Sequence, residues 1–254
     1  MAPRIAIPVP HAGDPEYAAR ALPQYMRAVE LAGGEPVRIP LDGPPAEVMK
    51  RIERCDAVLL PGSKADVDPA KYGAARDPRT EAADPKRDTV DELLLQDAYN
   101  MRKPVLGICY GLQILNVYRS GTLVQHIDSS INHAAGRQVS IAHPVVIAPG
   151  SLLANIVEPA AASGVSAPVM LPVNSSHHQS AGVVGDGLRA VATCPEDGVV
   201  EALEGTAPDH FVVAVQWHPE RSVESDAASL AIFRALVEAA QARHAKLAGE
   251  FETV

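Results

Sequence analysis

A short apolar run meets a predicted helix at residues 104–111, Pro104-Val105-Leu106-Gly107-Ile108-Cys109-Tyr110-Gly111. The run is typical of a buried strand, and it ends at the cysteine. A sharp strand-to-helix turn holds one residue in a strained conformation and needs small residues on both sides of it. Gly107 and Gly111 meet that need around Cys109. The pentad therefore predicts a cysteine nucleophile at the carboxyl edge of a sheet, where the N-terminus of the next helix favours the thiolate.

The rest of the first half alternates short apolar runs with longer amphipathic stretches. Strands are predicted at 4–9, 36–40, 56–60 and 104–109. Helices are predicted at 15–32, 45–54, 88–102, the last opened by an aspartate N-cap, and from about residue 110. This alternation is typical of βαβ units around a parallel sheet.

The second half is richer in strands. They are predicted at 138–148, 188–194, 199–204 and 211–217, followed by a helix over 225–247. We therefore predict an α/β fold, with a single domain over residues 1–254. Its central sheet is mostly parallel and flanked by helices, and the second half adds an antiparallel strand region.

Charge and composition exclude several classes of function. The chain has 254 residues, with 22 Lys and Arg against 31 Asp and Glu and a net charge of −9. No long basic stripe is present, so we expect no nucleic-acid partner. Prolines interrupt the apolar N-terminus and no apolar window reaches membrane-spanning length, so we expect neither a signal peptide nor a membrane. The three cysteines are too widely spaced for C-x-x-C motifs, which favours a reduced, cytoplasmic protein.

A nucleophilic cysteine needs a base, and the base needs an orienting group. The apolar run Val212–Val215 leads through Gln216-Trp217 into His218-Pro219-Glu220. In an extended backbone, residues two apart project to the same face, so the Glu220 carboxylate can fix the His218 imidazole. With Cys109, these residues predict a nucleophile, base and orienter triad. The alternatives are an ordinary turn at His-Pro-Glu and a buried core cysteine at 109.

Acyl transfer also needs hydrogen-bond donors for the oxyanion. The N–H of Tyr110, first in the helix after Cys109, is one candidate. The turn Pro61-Gly62-Ser63 ends another predicted strand, so it should open onto the same sheet edge and supply a second donor. A plain strand-ending turn is the alternative interpretation of that segment.

Four sequence blocks resemble the class I glutamine amidotransferases and, within them, the γ-glutamyl-γ-aminobutyrate hydrolase group of peptidases. They occur in family order and are Pro61-Gly62-Ser63 with Asp66-Val67-Asp68-Pro69 and Tyr72-Gly73; Gly107-Ile108-Cys109-Tyr110-Gly111-Leu112-Gln113 with Asn116-Val117 and Gly121-Thr122-Leu123; Val173-Asn174-Ser175-Ser176-His177-His178-Gln179; and Gln216-Trp217-His218-Pro219-Glu220. The second and fourth blocks are specific to the superfamily, and the first and third point to the hydrolase group.

The resemblance implies a flavodoxin-like fold and a role for each matched position. Cys109 would form a γ-glutamyl thioester, His218 would act as general base and acid, and Glu220 would orient it. Oxyanion amides would come from Gly62 or Ser63 and from Tyr110. Three further residues would contact the substrate: Gln113 at the glutamyl end, and Ser176 and His177 near its α-amino and α-carboxylate groups.

The function implied is a cysteine hydrolase that releases glutamate from a γ-glutamyl amide, with a small molecule as its substrate. Two alternatives stay open: a glutaminase subunit that delivers ammonia to a separate synthetase, and an inactive protein that binds a glutamyl ligand. Residues 63–87 form a long loop, which we expect to lie over the active site. The alanine-rich helix 225–247 leaves a homodimer open.

Some positions depart from the family pattern. Ser120 and Ser63 stand where many members have glycine, and Tyr110 stands where arginine is common. These differences affect which leaving group the site would accept. An aromatic ring at position 110 could either narrow the pocket or stack on a substrate. We expect no cofactor and no metal, because the adjacent His177 and His178 point to opposite faces of an extended backbone and cannot readily share one ion.

Overall fold

The computed structural model of the protein describes residues 2–158 and 167–252. Its strands are β1 Arg4–Pro8, β2 Glu35–Ile39, β3 Ala57–Leu60, β4 Val105–Ile108, β5 Leu123–Val124, β6 His143–Ile147, β7 Val169–Val173, β8 Ser180–Ala181, β9 Leu188–Thr193, β10 Val200–Gly205 and β11 Val212–Val215. Its α-helices are α1 Pro15–Leu31, α2 Pro45–Ile52, α3 Pro85–Met101, α4 Tyr110–Tyr118, α5 Leu152–Val157 and α6 Ala227–Glu252.

Nine of the strands form one continuous sheet in the order β2-β1-β3-β4-β11-β10-β9-β6-β7. The strands from β2 to β11 are parallel, and those from β11 to β7 pair antiparallel. The predicted α/β class, with its antiparallel addition in the second half, is confirmed. The prediction of one domain over residues 1–254 includes positions outside the described residues and stays a prediction.

The central parallel strands are buried on both faces, which explains their continuous apolar runs. In β3, Ala57 and Leu59 face the hydrophobic cluster covered by α1 and α6. Val58 and Leu60 face the opposite cluster, which α2, α3 and α4 cover. Because parallel strands end at one edge of a sheet, the residues that follow β3, β4 and β11 meet there.

Helix α3 begins three residues earlier than predicted. Its N-cap is Asp84, whose carboxylate accepts from the amides of Lys86 and Arg87 at 3.2 Å each. The predicted start at Asp88 was therefore wrong. Asp88 lies inside the first turn, and it accepts a 2.6 Å hydrogen bond from the Tyr110 hydroxyl.

Three elements of the second half, β7, α5 and the two-residue strand β8, were missed, and one predicted strand was too long. Among the described residues, strand β7, which contains Pro172, pairs with β6 alone and lies at the sheet edge, where a proline is tolerated in a strand. The six-residue helix α5 was also missed. Strand β6 begins at His143 rather than at residue 138. Within the described residues, no helix combines the length and apolar character needed to cross a bilayer.

A buried ion pair connects α3 to the carboxyl edge of the sheet. The side chains of Arg87 and Asp91 are both 0% exposed, and Arg87 Nε lies 2.8 Å from each Asp91 carboxylate oxygen. The same guanidinium donates to the carbonyls of Pro10 and Pro61, each at 2.9 Å. These carbonyls follow β1 and β3, so one arginine positions two loops beside the predicted site.

We expect Arg87→Met to lower the free energy of unfolding by about 3–5 kcal/mol, because it leaves the Asp91 carboxylate buried without its partner. The double variant Arg87→Met with Asp91→Leu should recover part of that loss, since it removes the unpaired charge. Urea unfolding of both variants measures the difference. A double variant no more stable than the single one would contradict this account.

Candidate active site

Cys109 occupies a strained turn between β4 and α4. Its backbone has φ 54° and ψ −106°, a region that L-residues rarely adopt. The Cys109 amide donates to the carbonyl of Val215 at 2.8 Å, which attaches the turn to the end of β11. Strain of this kind is found at functional sites that the surrounding structure holds in place.

Close backbone approach explains the two glycines of the pentad. A Cβ added at Gly111 would lie 2.1 Å from the carbonyl oxygen of Leu60, at the end of β3. One added at Gly107 would lie 2.8 Å from the carbonyl carbon of Gly111. Both distances are shorter than any ordinary contact, so only glycine fits either position.

His218 and Glu220 form a buried pair just past β11. The imidazole Nδ1 lies 2.8 Å from Glu220 Oε1, and both side chains are at most 5% exposed. Asn174 holds the His218 backbone from two sides, because its side chain accepts from the His218 amide at 3.0 Å and donates to the His218 carbonyl at 2.9 Å. The imidazole is thus fixed with Nε2 as its free nitrogen.

Gly62 lies between Cys109 and His218 of the predicted triad. A Cβ added there would lie 3.0 Å from Cε1 of His218 and 3.6 Å from Cβ of Cys109. The Cβ of Cys109 and the His218 ring therefore border one small space around Gly62, at the carboxyl ends of β3, β4 and β11. Gly62 keeps that space open by having no side chain.

Burial determines the protonation of these groups. It raises the pKa of the Cys109 thiol to about 12, with Arg221 opposing it. It also lowers the pKa of His218, while Glu220 acts in the opposite direction. Burial alone would raise the pKa of Glu220, but the neighbouring His218 holds it below its usual value. Burial therefore favours the neutral forms of Cys109 and His218, while the neighbouring His218 favours the ionised form of Glu220.

The predicted oxyanion residues differ in what they contact. The Gly62 amide donates to the hydroxyl of Tyr25 at 3.0 Å, so that donor is engaged inside the protein. The Ser63 hydroxyl accepts from the Ala65 amide at 3.1 Å. Tyr110 is only 1% exposed, and its ring lies in the core beneath Arg87. Its side chain therefore neither narrows the pocket nor stacks on a substrate, and only its backbone reaches the site.

The three predicted substrate residues are bonded to protein groups. Gln113 Nε2 donates to the carbonyl of Gln179 at 3.2 Å. Ser176 Oγ accepts from Arg221 at 2.8 Å. His177 is buried, with Nδ1 2.9 Å from the Gln179 carbonyl and Nε2 3.5 Å from Glu201.

The loop 63–87 is attached to the segment that carries these residues. Asp66 is 5% exposed and accepts from the amide of Glu81 at 2.7 Å and from Gln179 Nε2 at 3.0 Å. His178 Nε2 lies 3.0 Å from the same carboxylate. Asp66 is thus a buried acceptor that joins the loop to residues 178–179.

Comparison with known protein families identifies the family of this chain. The peptidase C26 family matches residues 9–220. The chain belongs to this family. Its members are related to the class I glutamine amidotransferases, so the predicted resemblance is confirmed.

Individual relatives agree with the family assignment. The chain is 40% identical over 220 residues to a "Putative glutamine amidotransferase" of Mycobacterium tuberculosis, covering 85% of this chain and 66% of that protein. It is 31% identical over 235 residues to the γ-glutamyl-γ-aminobutyrate hydrolase PuuD of Escherichia coli K12, covering 86% and 85%. The crystal structure of a "putative gmp synthase subunit a protein" from Thermoplasma acidophilum has a TM-score of 0.64, with 15% identity and coverage of 97% and 98%. That structure supports the fold.

Two residues at the site of this peptidase C26 family member were not assigned roles from the sequence. Tyr25 lies on α1 and reaches Gly62, and Asn174 clamps His218. An aromatic residue on an apolar helix face resembles any core residue, so Tyr25 carried no signal. Asn174 did stand in one of the four family blocks. At Ser120, where many members have glycine, φ is 67°, which explains the usual glycine.

The close approach at Gly111 predicts that Gly111→Ala costs at least about 1–3 kcal/mol of folding free energy, because α4 must move away from Leu60. Gly13→Ala is the matched control, since a Cβ there would lie 3.4 Å from His11 Cε1, an ordinary contact. It should change stability by less than about 0.5 kcal/mol. Guanidinium unfolding of both variants makes the comparison, and equal losses would refute the steric account.

Proposed function

We propose that this protein is a cysteine hydrolase that cleaves a γ-glutamyl amide and releases glutamate. The observation that carries the proposal is the strained Cys109 elbow facing the buried His218–Glu220 pair across Gly62. That arrangement supplies a nucleophile, a base and an orienting carboxylate within one space. The matched family and the name of the E. coli relative support a γ-glutamyl substrate.

Acylation begins when the Cys109 thiol transfers its proton to Nε2 of His218. The sulfur attacks the γ-carbonyl carbon, and the carbonyl oxygen takes up the negative charge. A neutral imidazole is the form needed for this step, and burial of His218 favours that form. Glu220 holds the ring in position and stabilises the imidazolium that results.

Collapse of the tetrahedral intermediate breaks the carbon–nitrogen bond, and the imidazolium gives its proton to the departing amine. Water then enters, loses a proton to His218 and hydrolyses the thioester, which restores the thiol and releases glutamate. We assign the oxyanion donors to the amides of Ser63 and Tyr110, since the Gly62 amide is bonded to Tyr25. Gln113 and Ser176 stay the candidates for holding the glutamyl end, and Ser176 is bonded to Arg221.

We expect Cys109→Ala and His218→Ala each to lower kcat/KM for γ-glutamyl-γ-aminobutyrate at least about a thousandfold, since the triad acts as a unit. Glutamate release measures the rate. Cys55→Ala is the control, because Cys55 is also a buried free cysteine but bonds to the Arg51 carbonyl, away from the site. Substantial hydrolysis by Cys109→Ala would end the proposal.

A substrate panel separates this function from its alternatives. Preference for glutamine over γ-glutamyl amides, with stimulation by a synthetase, would identify an ammonia-delivering subunit instead. Failure of folded wild-type protein to be alkylated at Cys109 by a glutamine-analogue electrophile would identify a binding protein. Hydrolysis of γ-glutamyl amides in the absence of a partner protein is the result we expect.

The pH profile tests the assigned protonation states. Because the base must be neutral, kcat/KM should fall as pH decreases through the pKa of His218. Burial lowers that pKa, so the midpoint should lie below the ordinary imidazole value of about 6.5. Glu220→Gln removes the charge that favours imidazolium, so it should move the midpoint to still lower pH. A midpoint above the ordinary value would contradict a buried neutral His218.

A further inference from the structure

A second cluster of chemically competent side chains lies outside the triad. It consists of His133, His143, His177 and Glu201, all buried. His133 Nδ1 lies 3.2 Å from Glu201 Oε1, His177 Nε2 lies 3.5 Å from it, and His143 Nε2 lies 3.6 Å from it. Within the described part of the chain, these three nitrogens and both Glu201 oxygens make no hydrogen bond. Unpartnered buried polar atoms are rare and require an explanation.

The hydrogen bond of the ring nitrogen that faces away from Glu201 determines whether the other nitrogen of that ring carries a lone pair. His133 Nε2 lies 2.8 Å from Asp197, His143 Nδ1 lies 3.1 Å from the Pro144 carbonyl, and His177 Nδ1 lies 2.9 Å from the Gln179 carbonyl. Because all three partners accept hydrogen bonds, each of these nitrogens carries the ring proton. The remaining nitrogens of the neutral rings therefore direct lone pairs at the Glu201 carboxylate.

Four electron-rich groups that face one another in a buried space repel unless a cation lies between them. Protonating one ring would pair it with the carboxylate but would leave the other two lone pairs without a partner. Protonating all three would place three positive charges against the two carboxylates of Glu201 and Asp197, which leaves one excess positive charge buried. A single divalent cation satisfies all four groups at once, with neutral imidazoles and an ionised carboxylate as its ligands.

We propose that His133, His143, His177 and Glu201 bind one Zn²⁺ ion in a closed structural site. Imidazole nitrogen and carboxylate oxygen are zinc ligands, and four protein ligands fill a tetrahedral site with no position left for water. Bonds of about 2.0–2.2 Å place neighbouring tetrahedral ligands roughly 3.3 Å apart. The separations of 3.2, 3.5 and 3.6 Å between Glu201 Oε1 and the three ring nitrogens are close to this spacing.

The outer contacts support the same assignment. Histidine ligands of metals usually donate their second N–H to a carboxylate or a backbone carbonyl, which fixes the ring and raises its basicity. All three rings make such a contact, and His133 makes it with a carboxylate. Asp197 itself is held by the hydroxyl of Ser129 at 2.6 Å.

The ion would connect four separate segments near the proposed active site. His133 lies in the connection between β5 and β6, His143 begins β6, His177 lies between β7 and β8, and Glu201 lies in β10. The segment 174–179 that carries His177 also contains Asn174, which holds the His218 backbone. His177 is therefore a zinc ligand that positions this segment, rather than a group that contacts substrate.

Metal content of the full chain tests the proposal directly. Protein purified without a metal-affinity step should contain about one zinc per chain by elemental mass spectrometry. His177→Gln and Glu201→Gln should each lose most of that zinc. His210→Gln is the matched control, because His210 is another buried histidine but bonds to the Lys103 carbonyl. Equal zinc in the ligand variants and the control would overturn the proposal.

Two further measurements do not depend on whether the ligand variants fold. Wild-type protein stripped with a chelator should melt at a lower temperature, recover on adding one equivalent of Zn²⁺, and give the visible absorption of tetrahedral Co²⁺ when cobalt is added instead. Asp197→Asn should weaken zinc binding about 10–100-fold without removing a ligand. Zinc-free wild-type protein whose melting temperature does not respond to Zn²⁺ would show that the cluster is a proton-sharing network.

Discussion

The contact between Gly111 and the carbonyl of Leu60 fixes the geometry at the centre of this molecule. A Cβ at Gly111 would lie 2.1 Å from that oxygen, so the first turn of α4 lies directly against the end of β3. To start the helix that close, the chain must turn sharply at Cys109, which accounts for its positive φ. Because β11 pairs with β4 on the other side, His218 arrives at the same edge of the sheet.

The parts of the site that could be predicted from the sequence are those that depend on local geometry. The pentad 107–111 places its small residues around the cysteine, and the His-Pro-Glu pair lies two residues apart, so both patterns are visible along the chain. The start of α3 was mispredicted because Asp84 and Asp88 are both competent N-caps. The choice between them is made by tertiary contact, since Asp88 is bonded to Tyr110 on another helix.

The histidine and glutamate cluster could not be predicted, because its members come from four segments and show no ligand spacing. The sequence argument compared only neighbouring residues: His177 faces Glu201, while His178 lies against Asp66 on the loop 63–87. What that argument lacked was the pairing of β6 with β9 and of β9 with β10, which brings His143 and Glu201 to one end of the antiparallel strands.

The proposed active site and the proposed zinc site share the segment 174–179. This shared segment explains why an energetically unfavourable cluster of buried histidines and glutamate lies there. Residues 174–179 contain no regular secondary structure, yet Asn174 must hold the His218 backbone from both sides. Backbone hydrogen bonds to neighbouring loops hold part of this segment, because the His177 amide donates to the His133 carbonyl at 3.0 Å and the Ser175 carbonyl accepts from the Gly136 amide at 3.0 Å. A metal bond at His177 would restrain the segment in a fixed geometry. Glu201, another of the proposed ligands, lies in β10, and its carbonyl accepts from the Gln216 amide at 2.8 Å. Gln216 lies two residues before His218. The His218 imidazole is thereby positioned by the segment 174–179 and by the end of β11, which are both connected to the same ion.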